Sequence, residues 1–275
     1  MLLQAVWNTI SKEKHKIKGA LMMVSKEYLW PIKPPAPLLN TFHYVYNVNQ
    51  KPENAIYIGR AMRAREASIW GNPYKMEGNS VKARIKAVAS FALHLQNNQE
   101  LLNKLADLKD KRLLCYCAPL PCHGHLLAAL ANLPENQSDT VFQWANQLAQ
   151  RAETLPYRLL VTGSRTWSDS NIIANALYQQ HKKWGQPNNT ILVVGDAPGA
   201  DTIAANLWGK AGFTTEIHKA EWEKYGSRAG MIRNNAMINT GVDACLAFSE
   251  NNSPGTKNTI TLAKRYHIPT TIIQR

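Results

Sequence analysis

Ile191-Leu192-Val193-Val194-Gly195-Asp196-Ala197-Pro198-Gly199-Ala200-Asp201 decides the fold. Four successive apolar residues suit a strand buried on both faces, the Gly, Asp and Pro positions end it, and a helix follows from about Gly199. The same unit repeats on either side. Strands are predicted at Leu159 to Thr162, Thr215 to His218, Ala244 to Phe248 and Thr270 to Ile273, with helices from about Asp169, Ser227 and Gly255. This alternation predicts an α/β domain over residues 157–275, a five-stranded parallel sheet with helices on both faces.

Ligands of such sheets bind beyond the carboxyl ends of the strands, where the strand order reverses. The turns there are Gly163-Ser164-Arg165, Gly195 to Asp201 and Ser249 to Thr256. Ser253-Pro254-Gly255-Thr256 opens a helix, and the first N–H groups of a helix lack intrahelical partners and attract anions. The helix after Arg228 adds Arg233 and Asn234. The reading assigns phosphate to Arg228 and Arg233, and backbone or hydroxyl donors to Gly163, Ser164, Gly255 and Thr256. Arg165, Gly195, Gly199, Asn234 and Ser253 complete the ligand set. Arg233→Ala is expected to weaken binding by roughly 1.5–3 kcal/mol with little change in stability. Asp196, Asp201 and Glu221 are the acid/base candidates, although a helix N-cap role would equally explain Asp201. Trp222 and Tyr225 either stack on a base or belong to the core.

The first half is less regular. Residues 1–40 form an appendage ending in Pro31, Pro34, Pro35 and Pro37, residues 41–135 a small α/β domain, and residues 136–156 a helical connector between Pro134 and Pro156. Strands are predicted at Ala55 to Ile58 and Leu113 to Cys117, and helices at Val81 to Leu95 and His123 to Leu133. Cys115 and Cys117 alternate on the second strand and so share a face, while Cys122 and His123 start a helix after a turn. With His125 nearby, Cys115, Cys117, Cys122 and His123 have the donor types of a zinc site. A Cys122 thiolate activated at the helix start, or a buried strand with small cysteines, fits the same residues. Arg60, Arg63 and Arg65 follow a strand; Arg60 is the one assigned to ligand, since Gly59 before it admits close approach to the backbone.

The chain carries a formal net charge of +13. Residues 1–135 hold 18 Lys and Arg against 9 Asp and Glu, and residues 136–275 hold 14 against 10, so the nucleotide-like turns lie in the less basic half. The charge, concentrated at Lys12 to Lys18 and around Lys82, Arg84 and Lys86, is therefore read as a soluble surface more than a nucleic-acid footprint. Three of the four cysteines cluster and no leader is evident at Met1-Leu2-Leu3, which predicts a reducing, cytoplasmic location. No apolar run reaches the length of a membrane span.

Two resemblances follow. Tyr57-Ile58-Gly59-Arg60, Gly71-Asn72-Pro73-Tyr74 and Leu113 to Gly124, with its Cys-Tyr-Cys and Pro-Cys-His-Gly, resemble an uncharacterised domain family of phages and bacteria. Leu160 to Arg165, Gly195 to Asp201, Ala220-Glu221-Trp222, Arg228 to Asn234 and Ser253 to Thr256 resemble the YspA-like branch of the SLOG superfamily. That resemblance implies a Rossmann-like fold that binds nucleotides or ADP-ribose-type derivatives. Some relatives, the LOG phosphoribohydrolases, cleave the N-glycosidic bond of a nucleoside monophosphate with an arginine matching Arg233 and a glutamate. Thr259 stands where that glutamate would be, and Asn252 and Ser253 replace two glycines.

Two functions are expected from these features. One is an enzyme that cleaves or transfers a glycosidic bond; the other is a non-catalytic nucleotide sensor or single-stranded nucleic-acid binder. No cofactor is required in either. The expected partners are a small nucleotide-type ligand and further copies of the chain in a homo-oligomer, with nucleic acid open and no membrane.

Overall fold

The computed structural model describes residues 30–275 apart from 51, 63, 64, 119 and 252. Most of the expected appendage with Lys12 to Lys18, and also Arg63 and Asn252, thus lie outside the described residues. The chain divides into two compact units, residues 30–76 with Val81–Thr154, and Glu77–Ser80 with Leu155–Arg275.

The first unit has three short parallel strands, β1 (Val45–Asn47), β2 (Ala55–Tyr57) and β3 (Arg112–Cys115), in the order β1-β3-β2. Its helices are α1 (Ala36–Leu39), α2 (Val81–Gln96), α3 (Gln99–Lys104), α4 (His123–Asn132) and α5 (Ser138–Thr154). Apolar residues three and four apart along α2 and α5 give each a stripe to bury. Ile85, Val88, Phe91 and Leu95 meet Leu126 and Leu127 of α4 and Val141, Trp144 and Leu148 of α5 in one core. The expected connector is therefore a helix of this core. Lys82, 3% exposed, donates from Nζ to the carbonyl oxygens of Ala152 (2.7 Å) and Glu153 (3.3 Å), satisfying the last turn of α5. Lys86 pairs with Glu153 at 3.0 Å.

The second unit is the expected α/β domain. Its sheet runs β6 (Thr214–His218), β5 (Thr190–Gly195), β4 (Tyr157–Gly163), β7 (Ala244–Ser249), β8 (Thr270–Gln274), all parallel. The crossover helices are α6 (Ser170–Lys183), α7 (Ala200–Lys210), the short α8 (Trp222–Tyr225), α9 (Ala229–Asn239) and α10 (Pro254–Arg265). Alternate residues of each strand serve opposite faces. Leu159, Val161, Leu192, Val194, Leu246 and Phe248 meet Ile173 and Leu177 of α6 and Ala204 and Trp208 of α7. Leu160, Val193 and Cys245 meet Met237 and Ile238 of α9 and Ala263 of α10. Strand order reverses between β4 and β7, so their carboxyl ends open the crevice of a doubly wound sheet.

The segment 77–80 belongs to this second unit. Asn79 N–H donates to the Val242 carbonyl (2.9 Å), Val242 N–H donates to Asn79 Oδ1 (2.8 Å), and Ser80 Oγ donates to the Asp243 carboxylate. Gly78 sits at φ 95°, with Val242 and Asp243 backbone where a side chain would go, so glycine is required there.

Candidate functional site

Three glycines let the ends of β4 and β5 close up. A Cβ at Gly163 would strike Ala200 and Phe248, and one at Gly199, whose φ is 76°, would strike the Ser164 and Arg165 carbonyls. The first turn of α7 is thereby drawn onto β4, with Ala200 N–H donating to the Ser164 carbonyl at 3.2 Å and Ser164 N–H to the Phe248 carbonyl at 2.8 Å. A Cβ at Gly195 would fall inside the guanidinium of Arg233. Sequence reading put all three glycines in the ligand set; in the folded chain the side-chain space beside each is taken by the protein's own groups.

Arg233 is correspondingly engaged. It is 9% exposed; Nη1 lies 3.0 Å from Asp196 Oδ1 and 3.9 Å from Asp201 Oδ2, and also donates to the His218 carbonyl at 3.4 Å, while Nε donates to Asn234 Oδ1 at 3.0 Å. Against the sequence expectation of little change in stability, these contacts join α9 to the turn after β5 and give the loss of Arg233 a structural cost.

Asp201 does not cap the helix. Gly199 holds the N-cap position, and the Asp201 carboxyl is buried against the backbone amides of Gly163 and Gly195. Burial pushes its pKa up to about 7; Arg233 opposes the rise and Asp196 adds to it. Its Oδ1 is buried without a hydrogen-bond partner.

Around this centre stand the remaining candidates. Asn234 Nδ2 donates to the Gly255 carbonyl at 3.2 Å, joining α9 to the first turn of α10. Thr256 is 1% exposed and its Oγ1 has no hydrogen-bond partner among the described residues, while the space beside Gly255 is open to them. Arg165 lies 5.6 Å from the ring of the exposed Trp222. Ser164 Oγ is 3.1 Å from Thr166 Oγ1, which donates to Glu250 Oε2 at 2.8 Å. Thr166 and Glu250 were missed by sequence reading; the one available signal was their place just past the ends of β4 and β7. Glu221 and Arg228 are exposed, and Glu221 pairs with Lys224 at 3.4 Å, apart from the buried cluster. Ser253 makes no side-chain cap to α10.

In the first unit Gly59 again yields its space inward. The Tyr57 ring occupies it and donates its hydroxyl to the Arg60 carbonyl at 2.6 Å, whereas Arg60 Nη1 donates to the Asn72 carbonyl at 3.3 Å. β3 ends at Cys115, so Cys117 stands in the turn and not on the strand. It nevertheless hydrogen-bonds with Cys115 and Cys122, and those bonds hold Cys117 far below the usual thiol range while pushing Cys115 above it. Burial raises Cys122, and also keeps His123 and His125 neutral, the latter at about 4.

The sheet, its switch point and the loops above it define a Rossmann-like α/β domain, a fold consistent with nucleotide-related binding. Residues 157–225 match the "YspA, cpYpsA-related SLOG family", and residues 45–133 match the "Domain of unknown function (DUF4326)". The chain belongs to both families, a DUF4326 domain preceding a SLOG domain. The Gene 61 protein of Mycobacterium phage D29 is 40% identical over 117 residues, 41% of this chain and 92% of that protein. A structure titled as translation initiation factor eIF-2B of Pyrococcus horikoshii OT3 aligns over 87% of this chain and 78% of that one, with 12% identity and a TM-score of 0.27, too low to define a shared fold. Among the described residues no helix is long and apolar enough to cross a membrane.

Proposed function

We propose that the second unit binds a nucleotide or nucleotide-derived ligand, of nucleoside monophosphate or ADP-ribose type, beyond the carboxyl ends of β4, β5 and β7. The observation that carries this reading is the start of α10, a 12-residue helix beside the switch point. Its first turn combines an open Gly255 with a buried, unpartnered Thr256 hydroxyl. Buried hydroxyls are ordinarily hydrogen-bonded, so an orphan at a helix N-terminus fits a phosphate oxygen as its partner. In this reading Gly255 and Thr256 hold phosphate, Arg165 and the exposed Trp222 face the ligand, and Arg233 fixes Asp196 and Asn234 from within.

Binding without turnover is the primary reading, because Thr259 replaces the relatives' glutamate and Arg233 is tied to two carboxylates. One observation favours glycosidic-bond cleavage as the second: Asp201 combines an unpartnered Oδ1 with a pKa near neutrality, the condition for general acid/base work. The Glu250–Thr166–Ser164 hydrogen-bond chain offers a further carboxylate at the same strand ends. Assembly as a homo-oligomer is part of the proposal, supported by the exposed Ile217, Met231 and Ile232.

Calorimetric titration of the whole chain with AMP, ADP-ribose and NAD tests the site, and chromatography of the same mixtures for released base tests turnover. Binding lost in Thr256→Val and Gly255→Val, both still folded, is the expected result. No heat with any of the three, or undiminished binding in both variants, rejects the site.

A further inference from the structure

The end of β3, the turn after it and the start of α4 gather three thiols and an imidazole. A sulfur each from Cys115 and Cys122 and a ring nitrogen of His123 lie within 4.8 Å of one another, and Cys117, half-buried, stands in the turn between the two cysteines. The orientation of His123 is the informative detail. Its Nε2 lies 2.8 Å from the Ile58 carbonyl oxygen, which can only accept, so Nε2 carries the proton and Nδ1 keeps its lone pair. Nδ1 is the atom that faces Cys122 Sγ, at 3.7 Å. Histidines that ligate metals are held in this way, the far N–H on a carbonyl and the near nitrogen bare.

We propose that Cys115, Cys117, Cys122 and His123 Nδ1 bind one zinc ion in a tetrahedral Cys₃His centre. Sulfur and imidazole donors select zinc over magnesium or calcium, and four protein ligands make the centre structural and closed. Three thiolates and a neutral imidazole on one zinc leave the centre with one negative charge; Arg84, whose Nη1 reaches the Pro121 carbonyl at 3.5 Å in the same turn, is the neighbouring cation. His125 takes no part, because its Nδ1 lies against the Cys122 carbonyl at 3.2 Å and its ring against Phe42 and Trp30. A side chain at Gly124, beside the centre, would meet the δ-methyl of Ile58. A disulfide between two of the sulfurs would leave the third thiol and the bare Nδ1 without a use. The proposal is independent of the nucleotide reading.

The test uses the full chain, purified reduced and without chelator. Mass-spectrometric metal analysis should find about one zinc per chain, and cobalt exchanged for it should give thiolate-to-metal charge-transfer bands with the strong visible absorption of a tetrahedral site. Cys117→Ala alters the least buried ligand and is the variant expected to keep its circular dichroism. Its zinc affinity, read by competition with a chromophoric chelator, should fall at least about tenfold, the loss caused by removing even an outer partner. Zinc near zero with no cobalt uptake overturns the centre, as do cobalt spectra without thiolate bands. Unchanged affinity in Cys117→Ala overturns the four-ligand assignment.

Discussion

Gly195, Arg233 and Asp201 are a single packing problem. The glycine is absent-minded of side chain only so that the guanidinium can lie against the strand end, and the guanidinium in turn holds two carboxylates. Gly195→Ala should therefore lower stability by about 1–3 kcal/mol, the range for overpacking, measured by denaturant unfolding; wild-type stability would show that Arg233 can relocate freely. Arg233→Ala should cost about 1.5–3 kcal/mol, the range for hydrogen bonds to charged groups, since those to Asp196 and Asn234 are lost while Asp201 answers by staying protonated. Asp201 adds a pH signature. A carboxyl whose folded pKa is raised from 3.8 to about 7 stabilises the fold most below the lower value, and that contribution is lost as pH rises to the upper one. Asp201→Asn should flatten the corresponding decline in unfolding free energy, and a variant whose pH dependence runs parallel to wild type would contradict it. The residue types of this cluster were legible in the sequence. Their mutual occupation was not, because spacing cannot reveal that a glycine and an arginine 38 positions later share one volume.

At the level of elements, strands buried on both faces were the most legible. Ile191 to Val194 and Ala244 to Phe248 lie within the observed β5 and β7, since continuous apolar runs have few other uses. β1 was missed because Val45-Tyr46-Asn47 is three residues long and half-buried, too short to display a period. The helical run expected from Ser227 opens as a 3-10 turn, Gly226–Arg228, and becomes α9 at Ala229, with Gly226 at φ 51° setting it apart from Trp222–Tyr225. The attachment of residues 77–80 was likewise invisible, resting on polar side chains far apart in sequence. Its anchor is Asp243, which accepts from Ser80 Oγ and, at 2.8 Å, from Arg158 N–H. Asp243→Ala should destabilise the second unit by about 1.5–3 kcal/mol, the range for hydrogen bonds to a charged group. Hydrogen exchange should show the loss at Asn79, Val242 and Arg158 first; unchanged protection there would remove the anchor role.

Over the whole molecule the basic charge divides into parts with internal duties. Lys82 serves the end of α5 and Lys86 pairs with Glu153, so two cations of α2 already have partners. An oligonucleotide should accordingly bind weakly, with affinity falling steeply as salt rises, whereas mononucleotide binding should depend on salt little. Tight oligonucleotide binding at physiological salt that no mononucleotide displaces would reverse the ligand class. The C-terminal fold could be read from pattern and motif, but the path of the chain could not. Ser80 and Asp243 are 163 residues apart, yet belong to one compact unit. On the ribosome, then, the second unit is the last to be made but includes a piece made early. Asn79 and Ser80 are made long before the Val242 and Asp243 groups they bind, and no single cut in the gene separates the two units without taking a stitch from one of them.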